Sequence, residues 1–263
     1  MRIQTIIATA LRCEPYIHKT LVSLEESGYF GDGGPVPIRF VVGSLDASYL
    51  DVYRNNPGKY KIERINPGEP ELALLNTLHG TQRCSFTHSL AMAERNIPQN
   101  IDAVLILEDD LRFSLGWWKR LVKISEDVVL NNRLNWVISL YAPFTTETKD
   151  AYETGKLWIR RSLKLYSFFG TQAVLYPKLI AIGFGLYLFE HSVKTFKRPI
   201  DHLLSEYLSN KDIPMFSTAP CLVQHIGRTS EGVSSTFHES RGFVEDVRPQ
   251  VPNTPPEPES NHS

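Results

Sequence analysis

Three consecutive carboxylates, Glu108, Asp109 and Asp110, follow the apolar run Ala103-Val-Leu-Ile-Leu107. Held at the end of a buried strand they repel one another, and the arrangement becomes favourable when a divalent cation neutralises them. Oxygen ligands suit Mg²⁺ or Mn²⁺, ions that commonly keep positions open for substrate phosphates. The plainer alternative is a solvated acidic turn that caps the next helix. His225, in Gln224-His225-Ile226-Gly227, follows an extended apolar segment and offers a nitrogen ligand, or else is a satisfied structural histidine. Asp201, in Arg198-Pro199-Ile200-Asp201-His202, reads either as a helix N-cap or as a carboxylate held beside a hydroxyl as general base. A basic group completes the set. Lys156, Arg160, Arg161 and Lys164 lie close to Trp158 and Tyr166, and Lys194, Lys197 and Arg198 immediately precede Asp201. Cations interleaved with aromatics can track phosphates and stack a base, although a solvated basic face has the same composition.

These residues need elements to position them. Residues 3–10 are short, apolar and isoleucine-rich, as a buried parallel strand requires, and a helix opened by Pro15 runs to about residue 26. After the Gly-rich break at residues 31–35, residues 38–42 form a second strand, and a third is expected at 60–65. A helix over 82–95 leads into the strand at 103–107 that ends in the acidic triplet. Ser114 is placed to cap the next helix, which carries Trp117, Trp118, Leu121 and Ile124 on one face. Further strands are expected at 136–141 and, interrupted by Gly170, at 168–176. Helices are expected over 178–194 and 201–209, an extended segment over 215–225, and a loop or β-ribbon over 156–164. Alternating strands and helices argue for a mixed, mostly parallel sheet flanked by helices, with ligands gathered at the carboxyl ends of the strands. One domain over 1–245 and a disordered, proline-rich tail over 246–263 account for the whole chain.

Four blocks, in this order, resemble the GT-A glycosyltransferases, and more narrowly the catalytic domain of the N-acetylglucosaminyltransferase IV family. They are Ala8-Thr9-Ala10-Leu11-Arg12, Leu107-Glu108-Asp109-Asp110, Arg198-Pro199-Ile200-Asp201-His202-Leu203-Leu204 and Pro220-Cys221-Leu222-Val223-Gln224-His225-Ile226-Gly227, with a weaker match at Gly43-Ser-Leu-Asp46. The resemblance implies a GT-A, Rossmann-like fold and a DXD-like motif. It implies an inverting transfer of a sugar from a nucleotide-sugar, a UDP-sugar, to an acceptor hydroxyl, with Mn²⁺ or Mg²⁺ as cofactor. Asp110 and His225 then hold the metal, Glu108 lies near the donor sugar and Asp109 near the ribose. Thr9 and Arg12 lie by the nucleotide, Asp46 lies by its base or ribose, Gln82 and Arg83 approach the diphosphate, and Asp201 is the base. Acceptor contacts are expected from Arg160, Arg161 and Arg198, and the acceptor is a glycan, a small molecule or a hydroxylated nucleobase in DNA.

Composition sets the outer limits. Lysine plus arginine (28) balances aspartate plus glutamate (29), which excludes an overall field of the polybasic kind. Three dispersed cysteines, Cys13, Cys84 and Cys221, fit a reduced compartment. No signal peptide and no apolar run of about 18 residues is read, so the expectation is a cytoplasmic enzyme without an integral membrane segment. The animal enzymes of the family it resembles are membrane-anchored Golgi proteins, and that difference implies an enzyme of microbial or viral type. Two other functions fit the same residues: a metal-dependent phosphoesterase or sugar-nucleotide hydrolase, and a non-catalytic nucleotide-binding module.

Overall fold

In chain order the elements are β1 (Ile3–Thr9), α1 (Ile17–Glu26), β2 (Ile38–Val42), α2 (Asp51–Arg54), β3 (Tyr60–Glu63), α3 (Pro70–Thr77), α4 (Gly80–Ala91), β4 (Ala103–Glu108) and β5 (Leu111–Phe113). There follow α5 (Trp117–Asn132), β6 (Val137–Ser139), α6 (Glu147–Glu153), β7 (Trp158–Arg160), β8 (Ala173–Pro177), α7 (Lys178–Ser192), α8 (Ile200–Asn210), β9 (Met215–Thr218) and β10 (Val223–His225). The computed structural model describes residues 1–10, 16–63, 70–132, 135–143, 145–163, 170–194, 198–227 and 239–247.

Eight strands form one sheet in the order β3-β2-β1-β4-β8-β6-β9-β7, and β5 and β10 form a separate two-stranded ribbon. β3, β2, β1 and β4 are parallel neighbours, β8 runs antiparallel to both β4 and β6, and β7 runs antiparallel to β9. The sheet is therefore mixed and mostly parallel, of the Rossmann-like α/β class that the sequence indicates. Alternation along the strands sorts its side chains into two cores. Ile3, Ile7, Leu105, Leu107, Ala173 and Leu175 face α1 and α5, whereas Ile6, Val104, Ile106, Val174 and Tyr176 face α4, α7 and α8. On the first face Trp117 stacks on Tyr29 and on Phe113, and its indole N–H donates to the Ser27 hydroxyl at 2.9 Å. That bond satisfies the one polar atom of an otherwise apolar side chain.

Several boundaries move for identifiable reasons. β8 begins at Ala173 rather than at 168, because Gly170 and Thr171 turn their amides toward Asp201. α4 ends at Ala91, where the Asn96 side-chain amide donates to the Leu90 carbonyl at 2.6 Å, and a short 3₁₀ turn, Glu94–Asn96, replaces the expected last helical turn. The segment expected to be extended over 215–225 is divided: Pro220 has no amide to give to a ladder, and beyond it β10 leaves the main sheet to pair with β5. Ser114 does not cap α5; its hydroxyl donates to the Val244 carbonyl. Val247 is buried and its amide bonds to Leu115 O at 3.1 Å, so the packed chain continues two residues past the tail boundary drawn at 246. The rest of that tail, Arg12 and Cys13, Lys164 and Tyr166, and Lys197 lie outside the described residues. Among the described residues no helix is long and apolar enough to cross a membrane.

Candidate functional site

The acidic triplet sits where β4 leaves the sheet, and each of its side chains is placed differently. Glu108 is the last strand residue and is half-buried, while Asp109 and Asp110 are each 2% exposed. Asp110 lies immediately before β5. The β5–β10 ribbon places His225 opposite Leu111, and the Ile226 amide donates to Asp110 O at 2.9 Å. His225 Nε2 thereby comes within 3.1 Å of Asp110 Oδ2. One ligand atom from each of Glu108, Asp110 and His225 lies within 4.8 Å of the others. Donors sharing an ion at about 2.1 Å lie roughly 3 to 4.2 Å apart, so this spacing is close to what one ion draws in. Gly227 closes the pocket: a Cβ built there would lie 2.2 Å from Asp110 Oδ2 and 3.1 Å from His225 Nε2. Two carboxylates and one imidazole, cradled by a residue with no side chain, fit Mn²⁺ or Mg²⁺.

Asp201 reaches the same edge of the sheet from α8. Pro199 occupies the N-cap position of that helix, and the carboxylate bonds across to the segment before β8 instead of to its own helix. Asp201 Oδ1 accepts from Gly170 N at 3.2 Å, Thr171 N at 3.0 Å and Thr171 Oγ1 at 2.6 Å. Burial pushes its carboxyl pKa above the ordinary aspartate value, and the bonds from Thr171 and Gly170 oppose that shift. Glu108 N donates to Gln172 O at 2.8 Å, so the strand carrying the metal-site carboxylate is tied to the segment that holds Asp201. Tyr141 lies beside both groups. Burial raises its phenol pKa, and the charges of Cys221, Glu108, Asp110 and Asp201 add to the effect. The structure thus brings together Glu108, Asp110, His225 and Asp201. It adds Tyr141, Thr171, Gln172 and Gly227, which sequence reasoning does not single out. Gly227 closes one of the four resembling blocks, and Gln172 falls opposite Glu108 once β4 and β8 are paired.

The other expected donor residues lie at three places. Asp109 accepts from the Thr9 hydroxyl at 2.6 Å and, more weakly, from Ala10 N at 3.4 Å, while the Thr20 hydroxyl donates to its carbonyl at 2.8 Å. Asp109 and Thr9 therefore brace the turn after β1. Asp46 is exposed and accepts from Ser48 N at 2.8 Å, in a turn beyond the end of β2. Gln82 and Arg83 bond to main-chain carbonyls: Gln82 Nε2 donates to Lys194 O at 2.8 Å, and Arg83 Nε donates to Leu78 O at 3.0 Å. Of the acceptor residues, Arg198 pairs with Glu206 at 2.6 Å, and Glu206 also accepts from the Tyr187 phenol. Arg160 is exposed on the edge strand β7, and Arg161 follows it. β7 lies four strand positions from β4, or about 19 Å at ~4.8 Å per strand. Burial lowers the Arg161 pKa, and Cys221 and Glu147 oppose that shift.

No protein-family model and no curated protein matches the sequence. Among solved structures the chain is similar to residues 1–349 of TarS from S. aureus in complex with UDP-GlcNAc, at 14% identity and a TM-score of 0.49, covering 90% of this chain and 62% of that one. It is also similar to the inositol-1-phosphate CTP transferase from T. maritima, at 11% identity and a TM-score of 0.46, covering 90% of this chain and 92% of that one.

Proposed function

We propose that this chain is a metal-dependent, inverting glycosyltransferase of the GT-A type, moving a sugar from a nucleotide-sugar, a UDP-sugar, to an acceptor hydroxyl. The observation that carries this reading is the convergence at one sheet edge of the Glu108, Asp110 and His225 cluster with the buried carboxylate of Asp201. All four residues fall within the sequence blocks that resemble the N-acetylglucosaminyltransferase IV catalytic domain, which supports the narrower kinship. Among the described residues only this one group of three metal-capable side chains occurs, which suits one ion rather than the pair a phosphoesterase commonly draws on.

The chemistry asks two things of the chain. Asp110 and His225, with Glu108 beside them, would hold a divalent ion, whose charge would offset the negative charge developing on the nucleoside diphosphate leaving group. Asp201 takes the proton of the incoming hydroxyl as that oxygen bonds to the anomeric carbon, and the diphosphate leaves from the opposite face, which inverts the centre. The three bonds to Oδ1 fix the carboxylate in one orientation, and its raised pKa makes it a stronger base than a solvated aspartate. A glycan, a small molecule or a hydroxylated nucleobase in DNA can supply the hydroxyl.

Incubation with a panel of sugar nucleotides and Mn²⁺, followed by identification of the nucleotide released, tests the reading. Release of a nucleoside diphosphate that stops on chelation and returns with Mn²⁺ is the expected result. Release of a monophosphate assigns the site to a hydrolase, and consumption that persists in excess chelator removes the metal from the reaction.

A further inference from the structure

The segment joining the two halves of this site contains one polar side chain that the fold leaves unsatisfied. Gln172 is paired with Glu108 across the β4–β8 ladder: Leu107 stands opposite Ala173, and the next pair is closed by the bond from Glu108 N to Gln172 O at 2.8 Å. Directly paired residues of an antiparallel ladder project from the same face, with Cβ atoms about 5.5 Å apart. Since Leu107 and Ala173 both face the α1–α5 side, Glu108 and Gln172 face the side covered by α8, the helix that carries Asp201. Tyr176, on that same face, has its phenol pKa raised by burial and by the charges of Asp201 and Glu108. Thr171, adjacent to Gln172 in the chain, makes two of the three bonds to Asp201 Oδ1. Gln172 thus stands between the metal-site carboxylate and the proposed base. Its Oε1 is covered from solvent and has no hydrogen-bond partner among the described residues.

A buried amide atom without a partner is costly to the fold, and such a group in a folded protein calls for an explanation. We infer that Gln172 reads the hydroxyls of the sugar being transferred. This rests on the transferase reading above. In a single displacement the leaving diphosphate lies at the metal cluster and the base lies on the other side of the anomeric carbon, so a group between them borders the sugar ring. A carboxamide offers one acceptor and two donors, which matches a pair of neighbouring sugar hydroxyls and rejects a ring that lacks one of them.

Two variants test this, Gln172→Met, which keeps the length without the amide, and Gln172→Ala. The readouts are binding of the free nucleoside diphosphate, binding of the intact sugar nucleotide, and the ratio of kcat/KM for the preferred donor to that for its epimeric and deoxy analogues. The expected result is unchanged nucleoside diphosphate affinity, sugar-nucleotide affinity lowered about tenfold, and a discrimination ratio that falls toward one, with the thermal midpoint of Gln172→Met equal to or above that of the parent. An unchanged ratio in a variant that still turns over donor overturns the role of Gln172 and leaves the transferase reading intact. A lowered thermal midpoint with equal loss toward every donor makes Gln172 structural and also overturns it. If the parent consumes no sugar nucleotide, the transferase reading fails, and with it this inference.

Discussion

At Asp201 the demands of folding and of chemistry have opposite signs. Burial raises its carboxyl pKa. For a group whose folded pKa exceeds its unfolded value, the contribution to stability is full below the unfolded pKa and is lost as pH rises through the folded one. Ionised Asp201 is therefore a burden on the fold at neutral pH, yet only the ionised form can accept a proton. Asp201→Asn keeps an oxygen for Gly170 and Thr171 and removes the base. Its turnover should fall by about 100-fold or more, with donor affinity little changed and the thermal midpoint at pH 7 no lower. In the parent, kcat should drop on the acid side at a pH above the ordinary aspartate range. Intact turnover with a lowered midpoint would instead make Asp201 a latch for the segment before β8. Sequence indicates residue types better than partners. The acidic triplet is legible because three carboxylates after an apolar run demand a reason. That Asp109 turns inward to Thr9 while Asp110 turns to His225 is not, because the first depends on β1 lying beside β4 and the second on the β5–β10 register.

Helices α4 and α7 show how an element's partners, rather than its own residues, set its limits. Both are expected from the sequence, over 82–95 and 178–194, but Gly185 in the middle of α7 carries no signal of its role. A Cβ at Gly185 would lie 2.7 Å from Met92 Cβ, directly beyond the end of α4, so the glycine permits close approach of the two helices. Elsewhere in a helix Gly→Ala gains about 1 kcal/mol, whereas forcing extra volume into a packed contact costs roughly 1–3 kcal/mol. The second effect should win, because the obstructing atom is a Cβ fixed to the backbone and cannot swing aside. Gly185→Ala should therefore lower the midpoint of urea unfolding at unchanged slope, by a net amount of up to about 2 kcal/mol. A stabilised variant would show that the two helices have room to part. Strand β5 escapes sequence reading because three residues are too few for periodicity; β10 falls within the segment read as extended, but its pairing with β5 is not legible there. The site depends on that ribbon, which brings His225 to Asp110.

At the scale of the whole molecule, sheet order decides which substrates can touch which residues. The parallel neighbours β3-β2-β1-β4 follow from the strand–helix alternation. The antiparallel placement of β8 and β7 does not, since nothing local in either strand states its neighbour. The consequence is a separation: Arg160 and Arg161 stand at the β7 edge, about 19 Å across the sheet from β4. A glycan chain or a nucleic acid whose hydroxyl lies at Asp201 can extend along the sheet toward β7, whereas a monosaccharide or small metabolite offers little beyond the hydroxyl that reacts. Replacing Arg160 and Arg161 together by alanine should therefore have an effect that grows with acceptor length. Donor consumption in the absence of acceptor, and transfer to a short acceptor, should match the parent within about twofold. For a polynucleotide acceptor the KM should rise. The parent's affinity should fall steeply with added salt and the variant's less steeply, because each phosphate that an arginine no longer neutralises takes about one unit from the slope against log salt. A neutral glycan would show the length effect without the salt effect. Equal loss toward short and long acceptors would place these arginines in the fold of the β7 edge, and the acceptor path would then have to be sought on the other flank of Asp201, where Arg198 is held by Glu206.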